Sequence, residues 1–187
     1  MIKERLELAR LLYQQRKVKV MFMKDYPALP TPSGFINARR GDELELPRWQ
    51  AKLLKAMGYA DIREAPLDIG HINQQHFRER RGESAGQLVS LQPDFYLKAG
   101  ELVALLNSLI RENPSAAIIR DREGAERNIV DLADVRLGKM LRLAQAGERG
   151  VMERMTPEEI ALYLHLLEGV DAWKGYVRSI SRGEEGG

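Results

Sequence analysis

The chain has 187 residues, of which 44% are apolar and 30% charged, with no cysteine and a formal net charge of +2 at pH 7. That length suits one domain, or a small module beside a larger one, and the composition is that of a folded chain with a heavily charged surface, not of a disordered one. The missing cysteines exclude disulfides, thiolate nucleophiles and cysteine-ligated zinc or iron–sulfur sites, and no apolar run is long enough for a membrane span or a signal-peptide core, so a cytoplasmic protein is expected.

Charge is unevenly spread. Residues 1–66 hold 13 Lys and Arg against 8 Asp and Glu, whereas residues 67–187 hold 16 against 19. The front of the chain is basic, a pattern compatible with contact to DNA or to an acidic partner, although a charge of this size more commonly serves solubility.

The opening segment places Ile2, Leu6, Ala9 and Tyr13 on one stripe of an amphipathic helix. Val18 to Met23 (VKVMFM) is branched and aromatic and too short for a helix, so it is read as a strand. The prolines of YPALPTPSG predict a surface loop. Short strands are expected around Phe35 and Ile36 and over Leu44 to Leu46, and Pro47 then opens a helix in which Trp49, Leu53, Leu54 and Met57 recur with helical spacing. Leu46, Pro47, Trp49 and Leu53 are thus the expected joint of this module, where the strand delivers the tryptophan and the leucine stripe onto the small sheet.

Tyr59 to Gly70 carries Pro66 and Gly70 with little periodicity and contains the expected linker, residues 63–70. Beyond it the sequence reads as helical. Asp68 is a candidate cap for a helix through HINQQHFRERR, a loop GESAGQLVSLQP follows, and a helix from Asp94 to Glu112 keeps Leu102, Leu106, Leu109 and Ile110 on one face. A helix from about Glu126 to Ala146 aligns Ala133, Leu137, Met140, Leu141 and Ala144. TPEE, Thr156 to Glu159, is a capping box that starts the last helix, with Ile160, Tyr163, Leu164, Leu167, Val170, Trp173, Val177 and Ile180 near one side. The tail GEEGG is expected to be disordered. The fold class is therefore α+β, mostly α: a small β-rich module with flanking helices over residues 1–62, the linker, and a helical bundle over residues 71–187.

Chemistry-bearing patterns are sparse. His71 and His76 are five residues apart, about 140° around a helix, so they do not share a metal readily, and His165 is remote in sequence. No zincin, phosphate-loop or nucleophile-elbow motif occurs. A metal-dependent hydrolase built on His71 and His76 ranks far behind other readings, and no catalytic residue, metal or cofactor is expected. The basic residues Arg16, Lys17, Lys19, Arg39, Arg40, Arg78, Arg80 and Arg81 are candidates for DNA or partner contact; the run RERR, with Glu79 inside it, is read first as a solvated helix end. The helical faces supply more apolar surface than one layer of helices covers, so Leu102, Leu106, Leu137, Met140, Leu141, Tyr163, Leu164, Leu167 and Trp173 are assigned to core or to a subunit interface, two roles that periodicity does not separate.

Gly34-Phe35, Gly41, the strand-to-helix passage Glu45-Leu46-Pro47 with Trp49 and Ala51, then Pro93 to Tyr96, Asp131 to Leu141 (DLADVRLGKML) and Met155 to Ile160 (MTPEEI) recur in an order and spacing that resembles the GINS family of DNA-replication factors. The likeness covers nearly the whole chain and is to the archaeal subunit related to subunits two and three of the eukaryotic complex. Arg48 and Gln50 depart from it, being polar where the eukaryotic relatives tend to be apolar. The resemblance implies a non-catalytic scaffold. Two copies would assemble with two copies of a sister subunit of permuted domain order, and the heterotetramer would bridge the MCM helicase and a RecJ-like partner at the replication fork in the nucleoid. The alternative is a basic module that binds DNA directly.

Overall fold

The structure is a computed structural model and describes residues 2–31, 34–82 and 87–183. It is α+β and mostly α, with the small antiparallel sheets preceding the long helices. No helix among the described residues is long and apolar enough to cross a membrane. The chain divides into two compact units, one of residues 7–66 and one of residues 1–6 and 67–187. The tail GEEGG apart from its first residue, Gly183, and part of the loop after Gly82 lie outside the described residues.

In the small unit, helix α1 (Ile2–Gln15, its first turn grouped with the other unit) buries Ala9 and Tyr13. Strand β1 (Lys17–Phe22) alternates outward Lys17 and Lys19 with inward Val18, Val20 and Phe22, as a half-buried strand must. It lies between β4 (Glu43–Pro47) and β5 (Ala60–Ile62), both antiparallel to it. The segment predicted as a proline loop is instead strand β2 (Tyr26–Thr31), paired with β3 (Gly34–Ala38) in a separate two-stranded ladder. Pro27 and Pro30 are tolerated because β2 has a single strand neighbour, and an irregularity of register between Tyr26 and Leu29, with Ala28 at φ 53°, lifts the chain out of regular pairing there. Val20, Phe22, Leu29, Leu46, Ala51 and Leu54 form the core.

Helix α2 (Arg48–Ala56) follows β4 directly, but the face it buries is not the expected one. Ala51 and Leu54 pack inward, while Trp49 and Leu53 of the predicted joint are 47% and 52% exposed. The inward positions beside Ala51 are occupied by Arg48 and Gln50, whose long chains reach polar partners: the Arg48 guanidinium sits 4.4 Å above the Tyr13 ring and pairs with Glu64, and Gln50 Nε2 donates to the Pro30 carbonyl at 2.8 Å. Of the joint, Leu46 alone is fully in the core, with Pro47 half-buried.

The helical unit contains α3 (Ile69–Arg81), α4 (Phe95–Glu112), α5 (Ala116–Ala146) and α6 (Pro157–Ser181). The Asp68 carboxylate caps α3 by accepting from the His71 N–H at 2.6 Å. Helix α5 starts some ten residues earlier than its apolar stripe announces, because the Ser115 hydroxyl caps it after Pro114 and Ala125 is fully buried in its third turn. Gly147, at φ 77°, supplies the left-handed residue that ends α5. A turn of 3-10 helix, Gly150–Arg154, leads to α6, whose capping box is formed as read: the Thr156 hydroxyl accepts from the Glu159 N–H and the Glu159 carboxylate from the Thr156 N–H. Two apolar clusters fill the unit, one around Ile72, Leu91, Phe95 and Leu132, the other around Leu88, Met140, Met155, Tyr163 and Leu167.

Candidate interaction surface

Polar chemistry in the helical unit is concentrated where no solvent reaches. Arg136 of α5 is fully buried, and its guanidinium makes five hydrogen bonds: to both oxygens of Glu159 (2.6 and 2.7 Å), to Glu79 Oε2 (2.7 Å), and to the carbonyls of Val89 (2.7 Å) and Arg154 (3.0 Å). Lys139, one turn on, donates to Glu79 Oε1 at 2.6 Å and to the carbonyls of Glu79 and Gln87. Tyr96 of α4 donates its hydroxyl to Glu159 Oε1 at 2.8 Å. Two carboxylates and two cations from α3, α5 and α6, with a phenol from α4, thus form one neutral network.

Burial disfavours charge on Arg136, but the hydrogen bonds and attraction of Glu159 and Glu79 outweigh it and leave its pKa raised. Burial, reinforced by the Glu159 carboxylate, pushes the Tyr96 phenol well above its usual range, so it stays a donor. Every guanidinium nitrogen is committed and the groups are enclosed, an arrangement suited to fixing helices against one another and not to receiving a substrate. Glu79 is therefore not part of a solvated helix end: it is 1% exposed, while its neighbours Arg78, Arg80 and Arg81 point outward. The sequence did carry a signal for it. Glu79 continues the buried spacing Ile72, Gln75, and Arg136 sits between Leu132 and Met140 on the buried stripe of α5. A charge at a core position needs a partner there.

The histidines are separate. His76 Nε2 pairs with the Asp131 carboxylate on α5, which Arg80 Nε also approaches at 3.2 Å; the hydrogen bond from His76, against a smaller desolvation effect, holds the Asp131 pKa down. His71 lies beside Gln75 and Phe95, and His165 beside Glu168. Among the described residues no group of three His, Cys, Asp or Glu is placed to share a metal ion. A shallow recess of about 480 Å³ is lined by Glu123, Glu126, Arg127, Val130, Asp131 and Asp134, all on α5, and so is an open shelf along one helix.

The basic candidates divide between the units. Lys17 and Lys19 share the outer face of β1 with Glu43 and Glu45 of β4, and Lys19 Nζ is 2.7 Å from Glu43. Arg39 and Arg40 are exposed on the turn before β4, and Arg16 on the residue between α1 and β1. On α3, Arg81 stacks 4.6 Å over Phe77, and Arg80 is engaged by Asp131. Acids thus stand beside Lys19 and Arg80, while Arg39, Arg40 and Arg78 are exposed.

Core and surface separate cleanly among the apolar candidates. Leu106, Met140, Tyr163 and Leu167 are buried, and Leu102 and Leu164 are half-buried. Leu137 and Leu141 are 36% and 49% exposed, because the inward face of α5 is turned to Leu132, Arg136, Met140 and Ala144. On α6 the change occurs along the helix. Its first three turns bury Ala161, Tyr163 and Leu167, whereas Trp173, Tyr176, Val177 and Ile180, at i, i+3, i+4 and i+7, are 65%, 60%, 43% and 57% exposed. The Trp173 and Tyr176 rings lie 6.2 Å apart, extending one apolar stripe over two turns. Large apolar residues scattered singly on a surface are ordinary, but a contiguous helical stripe of four is the form of a binding face.

What fold and surface together define is a helical domain with a charge-locked interior and an uncovered apolar helix end, preceded by a small antiparallel β unit. Neither a search of protein-family models nor one of curated proteins finds a match for the chain.

Proposed function

We propose that this protein is a non-catalytic scaffold subunit of GINS type, acting in DNA replication by burying helix faces on assembly. The observation that carries the reading is the uncovered stripe Trp173, Tyr176, Val177 and Ile180, with Leu137 and Leu141 of α5 as further outward apolar residues of the same unit. In keeping with the resemblance of its motifs, two copies pair with two copies of a sister subunit whose domain order is permuted. The resulting particle links the MCM helicase to a RecJ-like protein.

Co-expression with a candidate sister subunit, followed by light scattering, tests this. A particle of two copies of each chain is expected, and a folded monomer that ignores the sister would overturn the reading. Burial now separates two substitutions that periodicity could not. Leu167→Asp places a carboxylate in a 2% exposed core site and should unfold the helical unit, at a cost of several kcal/mol. Leu141→Asp should leave thermal unfolding within about 0.5 kcal/mol of the parent and abolish the heterotetramer.

A further inference from the structure

The last turns of α3 present a charged face that no role assigned above uses. Gln74, Phe77, Arg78 and Arg81 fall within about 100° of the helix circumference, at about 100° per residue, and all four are exposed, Phe77 by 54%. The Arg81 guanidinium lies 4.6 Å over the Phe77 ring, a stack that fixes its plane and leaves its N–H edge for a ligand. The single acid of α3 is Glu79, and it is withdrawn from this face: it is 1% exposed and is neutralised inside by Arg136 at 2.7 Å and Lys139 at 2.6 Å. Three and four residues before Arg78 stand Gln75 and Gln74, and before Arg81 stand Arg78 and Phe77, so neither has a carboxylate within reach on its own helix. Neither makes an ion pair among the described residues, whereas Arg80 turns to Asp131 at 3.2 Å. One cation complements the negative end of a helix; two that are a turn apart repel, and an anion between them relieves the repulsion.

We propose that this face binds single-stranded nucleic acid, with one base stacked on the Phe77 and Arg81 pair and the phosphates on either side of that base held by Arg78 and Arg81. A phosphodiester accepts two parallel N–H bonds from a guanidinium, and an unpaired base offers a flat π-face that a phenyl ring and a guanidinium plane both take. Gln74, one turn before Arg78, adds an exposed amide able to donate or accept at the edge of the base. A duplex supplies phosphates but keeps its base faces stacked inside, and an acidic peptide supplies carboxylates alone, so each uses the arginines and leaves Phe77 idle. The site goes beyond the scaffold reading and does not rest on it: either stands if the other fails.

The probe is a fluorescein-labelled oligothymidylate of about 12 nucleotides, titrated with the full-length protein at several salt concentrations. Two phosphate contacts give a slope of about −1.4 in log affinity against log salt, at about −0.7 per phosphate of a single strand. Arg78→Gln combined with Arg81→Gln should lower affinity about tenfold or more and flatten that slope. Phe77→Leu should lower it about fivefold or more with the slope kept. All three positions are exposed, so thermal midpoints should match the parent. Arg39→Gln combined with Arg40→Gln removes the same two charges from the other unit and should leave binding unchanged. Equal losses from the two double variants would reduce the binding to net charge and overturn the proposal. So would no binding at all, indifference to Phe77→Leu, or a duplex or a polyglutamate peptide binding as tightly as the oligothymidylate.

Discussion

Removing the Arg136 guanidinium is the sharpest perturbation the helical unit offers. In Arg136→Met five hydrogen bonds are lost, three of them to carboxylate oxygens. The two acids are not left in equal states. Glu79 keeps Lys139 at 2.6 Å and the Val89 N–H at 3.0 Å, so it remains paired with a cation. Among the described residues Glu159 keeps only neutral donors, the Tyr96 hydroxyl at 2.8 Å and the Thr156 N–H at 3.1 Å, together with the positive end of α6. Breaking one side of a buried ion pair costs about 3–5 kcal/mol, and the surviving donors place this case toward the lower half. With a urea dependence of about 2 kcal/mol per molar, the midpoint should fall by about 1.5–2 M. Circular dichroism is the appropriate signal, since four of the six α-helices among the described residues belong to this unit. Lys139→Met supplies the internal comparison: Glu79 then keeps Arg136, so the cost should be smaller, about 1.5–3 kcal/mol. A loss below about 1 kcal/mol for Arg136→Met, or a larger loss for Lys139→Met, would refute the assignment of the network as the lock between the helices.

Two further outcomes follow from the same unit. Thr156→Ala removes the buried hydroxyl that accepts from the Glu159 N–H and should cost about 1 kcal/mol, up to about 2, in urea unfolding, with Thr156→Ser restoring most of it. Asp131 has a folded pKa below its ordinary 3.8, so its stabilising contribution is present above that value and is lost as pH falls through the depressed one. The difference in thermal midpoint between the parent and Asp131→Asn should therefore be greatest near neutral pH and close up in acid; a gap that is constant with pH would contradict the His76–Asp131 pairing.

How much of this was legible beforehand depends on whether a position is decided locally. The start of α6 was readable because Thr156, Pro157 and Glu159 act within one turn, and so was the Asp68 cap of α3. The strand β2 was not, because proline reads as a breaker unless the strand is known to have one neighbour, which is a fact about pairing. Helix α2 misled for a different reason. It has two apolar faces, and hydropathy favours Trp49, Leu53 and Met57, whereas close approach to the sheet favours the small Ala51, with Arg48 and Gln50 able to enter because Glu64, Tyr13 and the Pro30 carbonyl await them. Those partners are 16, 35 and 20 residues away in sequence. The Glu79–Arg136–Glu159 network is the extreme case, with separations of 57 and 23 residues. Each of its charges looks like surface until its counter-charge is found across the bundle.

The helical unit thus inverts the usual allocation: ionised side chains are held inside while a tryptophan, a tyrosine, a valine and an isoleucine stand outside. Neither choice favours the stability of an isolated chain, since a buried ion network at best offsets its own desolvation and apolar surface left in water forgoes about 25 cal/mol per Å². Both choices make sense under the proposed assembly. A network with fixed donor and acceptor directions holds α3, α4, α5 and α6 in one arrangement, which an interchangeable leucine core specifies less strictly. A face presented in its final geometry loses less entropy when a partner covers it. On this hypothesis the two groups of residues act at different stages, and the variants already described separate them. Arg136→Met should weaken the free chain, whereas Leu141→Asp should leave the free chain intact and be felt only when a second subunit is present. If Leu141→Asp instead destabilises the free chain as much as Arg136→Met does, the outward residues of α5 are ordinary structure and the division of labour fails.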